Sequence, residues 1–236
     1  MARSPNFTKG FPGGWGAVRG NGRHLARRRR SEKAVPSFKK FFGAKTVVPI
    51  TIASKLQLDL AIQCSLDPEI RALSFLPWLN FRGETVDVGM MVADFDVGRF
   101  VLDIVEDRPL RDIDTEGMHL LAIAERGIGL MEFDAEDILS EPFASNCREV
   151  WRHRPTAPLP STQASILGEL SRHGSITIRE LSKAIGFDGD IAPAVYWLAC
   201  ADLVELELAP ALGGETLVSI RSSRLATPGE RVVGEK

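Results

Sequence analysis

Glu84-Thr85-Val86-Asp87-Val88-Gly89-Met90-Met91-Val92 and Arg99-Phe100-Val101-Leu102-Asp103-Ile104-Val105 are the two runs on which the fold turns. Both are rich in β-branched and apolar residues, and between them lies Asp94-Phe95-Asp96-Val97-Gly98, which is suited to a turn. The pattern predicts two strands of a hairpin. Working outward, Ser54 is placed to cap a helix through Lys55–Ile62 that is closed by Asp67-Pro68. Ile70 to Leu76 alternates as a short extended piece expected to stop at Pro77. On the other side, Thr115 is expected to cap a helix through Met118, Leu120, Leu121 and Ile123 that ends at Gly127. Gly129–Phe133 then reads as a strand, and Asp134–Leu139 as a short acidic helix start. This order implies a small mixed sheet flanked by helices.

Three prolines (Pro155, Pro158 and Pro160) mark residues 152–161 as a linker. Beyond it, Thr162 to His173 is an amphipathic helix stopped by Gly174, and Ile176 is a short extended bridge. Thr177 and Glu180 form a capping box for a second helix that ends at Gly186. Asp190 opens a third helix, and Leu203–Leu208 with Thr216–Ile220 form a hairpin around Gly213-Gly214. Three helices followed by a hairpin is the winged-helix arrangement. The expected fold class is therefore α+β, a mixed-sheet domain over 46–151 followed by a winged helix over 162–224. Residues 1–45 and 225–236 are expected to be a disordered basic arm and a flexible tail.

Charge divides the 236-residue chain in the same places. The net formal charge of −2 conceals +11 over residues 1–45, −12 over 46–150 and −1 over 151–236. The arm carries Arg27-Arg28-Arg29-Arg30 among glycines, prolines and scattered aromatics. Such a cluster neutralises phosphates and releases counterions without reading base sequence, so these four arginines are candidate DNA contacts. A merely solubilising tail is the plainer alternative. No apolar run approaches the ~20 residues of a membrane span, and no signal-like stretch opens the chain, so the expectation is a cytoplasmic protein without a membrane partner. Cys64, Cys147 and Cys200 have no CxxC spacing, and the four histidines form neither HxH nor HExxH, which argues against structural or catalytic zinc. Glycines 10–22 contain no phosphate-binding GxxxxGK[ST].

Asp87 and Asp103 stand 16 residues apart across the expected hairpin. That spacing can bring two carboxylates to one end of a sheet, where hard oxygen donors hold Mg²⁺ and the metal activates water against a phosphodiester. Aspartate is also common at strand ends for purely structural reasons. The ordered series Ser54-Lys55-Leu56-Gln57, Leu66-Asp67-Pro68-Glu69-Ile70, Pro77, Val86-Asp87, Asp96-Val97-Gly98-Arg99, Val101-Leu102-Asp103-Ile104-Val105 and Asn146-Cys147-Arg148 resembles the TnsA-like transposon endonucleases. These combine a restriction-endonuclease-like domain of the PD-(D/E)xK kind with a winged helix. The resemblance covers about residues 46–150. It implies a Mg²⁺-dependent DNA endonuclease working beside a transposase or other mobile-element proteins, with Asp87 and Asp103 as catalytic metal ligands and Gln57 on the helix that contributes a third group.

This chain departs from the pattern at two positions. Gln57 stands where the family's glutamate is expected, and Val105 where its lysine is expected. Valine can neither orient water nor stabilise a crowded phosphate. No lysine occurs between Lys55 and Lys183 to replace it, and Lys55 is about 200° around the helix from Gln57. Arg99 and Arg108 are near in sequence but remain protonated, and so make poor bases. The winged helix also departs from a DNA reader: Asp190–Asp202 contains no Lys or Arg, and neither does the turn at 209–215. Arg221 and Arg224 are the remaining DNA-contact candidates, and protein docking is the preferred use of this module.

Three readings follow: a nuclease-fold assembly subunit on DNA with impaired cleavage, an active Mg²⁺-dependent endonuclease, and a winged-helix regulator or interaction protein.

Overall fold

The computed structural model describes residues 39–221. The Arg27–Arg30 run, Arg224 and the expected tail lie outside the described residues. Ordered structure begins inside the segment expected to be a basic arm. β1 (Lys39–Phe41) pairs antiparallel with β2 (Ile50–Ile52), and Phe41 is buried in a stack on Trp151. Lys45, a member of the same charge-rich segment, is buried as well.

α1 (Lys55–Leu66) starts as the sequence suggests, with the Ser54 hydroxyl accepting from the Gln57 N–H at 3.0 Å. It leads into a four-stranded sheet of β3 (Ile70–Phe81), β4 (Glu84–Phe95), β5 (Gly98–Ile104) and β6 (Gly129–Phe133), in the order β3-β4-β5-β6. The first three strands are antiparallel, and β6 is parallel to β5. The hairpin between β3 and β4 turns at Arg82 and Gly83, which both have positive φ, as a tight two-residue turn requires.

Pro77 does not end β3. The strand runs on to Phe81, and its register against β4 shifts between Leu76 and Trp78. Proline lacks the ladder N–H, and an irregularity on an edge strand is where that loss is tolerated. α2 (Ile113–Glu125) is capped by Asp112, whose carboxylate accepts from the N–H and the hydroxyl of Thr115 at 2.8 and 2.9 Å. The expected cap, Thr115, is thus the donor in the first turn.

After β6 come α3 (Ala135–Ile138), opened by an Asp134–Asp137 capping box, and α4 (Phe143–Arg152). The sequence pattern predicts no helix at α4. Its buried Phe143, Ala144, Cys147 and Val150 recur at helical spacing, and it packs on α1. The C-terminal module then runs α5 (Pro160–His173), β7 (Ile176–Thr177), α6 (Ile178–Ile185), α7 (Ala192–Cys200), β8 (Val204–Leu206) and β9 (Leu217–Ile220). Its three strands form a sheet in the order β7-β9-β8. Pro160 is the first residue of α5 rather than part of a linker, a position where the missing N–H costs nothing.

The two modules share one core. Leu60, Ile104 and Val150 belong to the same buried cluster as Ile166, Leu198 and Val218. Polar clamps reinforce the junction. The Asn146 amide donates to the carbonyls of Leu208 and Pro210 at 2.9 and 2.7 Å. Lys45 donates to the Asp67 carbonyl and lies 3.5 Å from the Asp202 carboxylate. Arg221 pairs with Asp202 and donates to the Ile70 carbonyl at 3.1 Å. A second apolar cluster, including Leu79, Val92 and Val101, lies under Ala122 and Ile123 of α2 on the other face of the sheet. The sheet is therefore covered on both faces. The Asp103 end of β5 meets the start of α1 at one end of the sheet.

Candidate functional site

At that end, a cleft of about 350 Å³ is lined by Ser54 and Gln57 from the start of α1, Asp87 from β4, Asp103 from β5, and Asp107, Arg108 and Arg111 from the segment leading to α2. Three residues singled out from the sequence, Gln57, Asp87 and Asp103, therefore line one opening. Val105 does not. It sits in a 3₁₀ turn over Val105–Asp107 with 43% of its surface exposed, outside the cleft lining.

The three residues are in different situations. Asp87 is solvent-exposed. The Gln57 side-chain oxygen accepts from the Ala53 N–H at 2.6 Å, so it helps close the free backbone donors at the start of α1. Asp103 is only 6% exposed, and burial raises its carboxyl pKa while the Arg108 charge pulls it back down. Arg108 places Nε and an Nη nitrogen at 2.7 and 2.6 Å from one Asp103 oxygen, and also bonds Glu132.

That second contact follows from the sheet. β5 and β6 are parallel with Asp103 opposite Glu132, so the two carboxylates are neighbours across the ladder with one guanidinium between them. Charge-assisted bonds of this kind are shorter and stronger than neutral ones.

Around this pair the cleft is further cross-linked. The Ser54 hydroxyl donates to Asp107, which ties the α1 cap to the segment after β5. Arg111 donates to Glu116 at 3.1 Å, and the same nitrogen lies 3.5 Å from Nδ1 of His119. His119, on the sheet-facing side of α2, is 1% exposed, and its Nε2 has no hydrogen-bond partner. Burial and the neighbouring Arg111 charge lower its pKa, which keeps the imidazole neutral at pH 7, while Glu116, Asp103 and Asp87 pull the other way. A neutral ring accepting at Nδ1 from Arg111 carries its proton on Nε2.

Sequence reasoning missed Glu132, His119 and Arg111 as neighbours of the cleft, and treated Arg108 only as a poor base. The adjacency of Asp103 and Glu132 depends on a parallel strand pairing, for which the sequence carries no local signal.

The other candidates fall elsewhere. Arg27, Arg28, Arg29 and Arg30 lie outside the described residues. Arg221 is not available as a DNA contact: its side chain is 10% exposed and is spent on Asp202 and on the backbone of the β3 start. α7, the third helix of the C-terminal module, buries Ala194, Val195, Tyr196, Leu198, Ala199 and Cys200, and packs against α4 and α1. Tyr196 sits beside the His153 ring, with centroids 5.3 Å apart, and Trp197 packs on the core, so both are core aromatics. All three cysteines are buried and unpaired, with their thiol pKa values pushed up by burial.

Among the described residues, no group of three or more His, Cys, Asp or Glu side chains is gathered to hold a metal ion, and no helix is long and apolar enough to cross a membrane. Comparison with known protein families and with curated proteins finds no match to this chain.

Proposed function

We propose that this chain is a nuclease-fold protein of a mobile element, TnsA-like in plan, that associates with DNA and acts in protein–DNA assembly with its cleavage function impaired. One observation carries the reading. Gln57, Asp87 and Asp103, chosen by their positions in an ordered motif series, line one cleft although they are spread over 46 residues.

Impairment is supported by the donor set. Mg²⁺ takes six oxygens in near-octahedral array, one or two of them protein carboxylates and most of the rest water or substrate. One of the two Asp103 oxygens is held by Arg108, the Gln57 oxygen by the Ala53 N–H, and no lysine lines the cleft. With a guanidinium already on Asp103 and no third carboxylate gathered beside it among the described residues, the residues as arranged do not fit the metal.

The helix and strand order of residues 160–221, with its β7-β9-β8 sheet, supports a winged helix used for docking. Its α7 packs on the chain's own α1 and α4, which supports the assembly role over a separate DNA-reading module. DNA association then rests on the +11 segment at the N-terminus.

The test is duplex binding by the intact chain and by a chain lacking residues 1–38, over a range of salt. The reading expects binding that weakens steeply with salt and is lost in the shortened chain. Salt-insensitive, sequence-selective binding that survives the deletion would instead favour the winged-helix regulator. The exposed position of Asp87 in an open cleft favours the active endonuclease as the second reading. Nicking of supercoiled plasmid in Mg²⁺ or Mn²⁺, abolished by Asp87→Ala, would establish it and overturn the first.

A further inference from the structure

We infer that Arg108 is the resident cation of a two-carboxylate site formed by Asp103 and Glu132, and that this tethered guanidinium closes the cleft to divalent metal. The inference deepens the nuclease-fold reading by saying what occupies the acidic end of the sheet.

Parallel pairing of β5 and β6 sets Asp103 opposite Glu132, so two carboxylates project from adjacent strands. Two carboxylates this close, one of them on a nearly buried side chain, stay charged together only with a cation between them. Arg108 supplies it from only five residues beyond Asp103, through the 3₁₀ turn that carries Val105 away from the cleft. It contacts both acids at once, with Nε and Nη2 on one Asp103 oxygen and the same Nη2 on Glu132.

A divalent ion entering here must displace a cation that cannot diffuse away. The tether keeps the guanidinium at high effective concentration against any ion in solution. Arginine also stays charged at every accessible pH, so the site is not opened by deprotonation. The same positive charge that could have served as a replacement for the missing lysine is thereby held on the protein's own carboxylates.

The experiment is Mn²⁺ binding to the full-length chain without DNA, read from the electron paramagnetic resonance signal of free Mn²⁺. Arg108→Ala is expected to bind Mn²⁺ at least about tenfold more tightly than the unaltered chain. The gain should vanish in the double variant Arg108→Ala/Asp103→Asn. Arg108→Gln keeps much of the side-chain length and serves the same purpose if the alanine variant does not fold.

Equal Mn²⁺ affinity in the unaltered chain and a folded Arg108 variant would overturn the inference. If neither variant folds, the comparison passes to the unaltered chain against Asp103→Asn. Binding that Asp103→Asn removes would show that metal displaces the guanidinium unaided and would overturn the inference, whereas no difference between the two sustains it. Because DNA is absent, failure of the nuclease-fold reading would appear in the duplex-binding experiment and leave this measurement unaffected.

Discussion

Arg148 on α4 and Arg108 after β5 each grip a nearly buried aspartate, yet the two pairs do different work. Arg148 reaches Asp59 on α1 with two parallel bonds at 2.9 and 3.1 Å and so joins two helices of the main core. Arg108 shares itself between Asp103 and Glu132 at the mouth of a cleft, where 35% of its side chain is exposed. The first pair is a fork matched to a fork between helices, with Glu141 a looser second acid at 3.6 Å, whereas the second is one cation bonded closely to two acids; the two arginine side chains are about equally exposed, at 31% and 35%. Local chemistry alone does not distinguish a staple from a plug. The difference comes from what lies around the pair.

The largest expected effect is on the staple. Arg148→Ala leaves Asp59 buried without its partner and should lower stability by about 3 kcal/mol in urea unfolding. A loss below about 1 kcal/mol would mean that water replaces the guanidinium and that the pair is a surface one.

The pair at the module junction extends the comparison to a lysine, which can lose its charge. Burial, with the Arg221 charge adding to it, pushes the Lys45 ammonium down to about 7 from 10.5. Below pH 7 both folded and unfolded chains are protonated there, and the cost of burying the charge is fully present. Between pH 7 and 10.5 only the unfolded chain holds the proton, so stability should rise with pH by up to about 1.4 kcal/mol per unit. The difference between the unaltered chain and Lys45→Met, measured by unfolding at several pH values, should show that rise. A flat difference across the window would count Lys45 among the permanently charged clamps.

Arg108→Ala should cost less than Arg148→Ala, about 1 kcal/mol, because Asp103, whose carboxyl pKa burial already raises, can take up a proton beside Glu132 once the guanidinium is gone. A cost equal to that at Arg148 would erase the distinction between the two sites. The smallest effect expected is with salt. Raising ionic strength to about 1 M shrinks the Debye length to ~3 Å, and should cut the Arg108→Ala cost to a few tenths of a kcal/mol by screening the contact with Glu132, which is 42% exposed.

The parts of the fold that were legible in the sequence are those decided within a few residues. Ser54 caps α1, Thr177 and Glu180 form the capping box of α6, and Gly174 and Gly186 end their helices where the sequence reading puts them. Each of these depends on a side chain, or for the glycines the backbone N–H, meeting a backbone group no more than four positions away. The errors share the opposite origin. Pro77 reads as a strand end until an edge position and a register shift accommodate it. Residues 39–45 read as an arm until Trp151 and Asp202 are brought to them by the rest of the chain. Arg221 reads as a DNA contact until Asp202 and the β3 backbone take up its donors.

By itself the sequence determined a mixed sheet with helices and a C-terminal module of three helices and short strands, because periodicity, caps and turns act locally along the chain, whereas Gln57 joined Asp87 and Asp103 only through a family resemblance. Only the tertiary structure decided that the C-terminal module shares the core of the first, and that Asp103 faces Glu132 with Arg108 between them. Both depend on partners tens of residues apart, chosen by strand pairing and packing, for which no short stretch of sequence carries a signal.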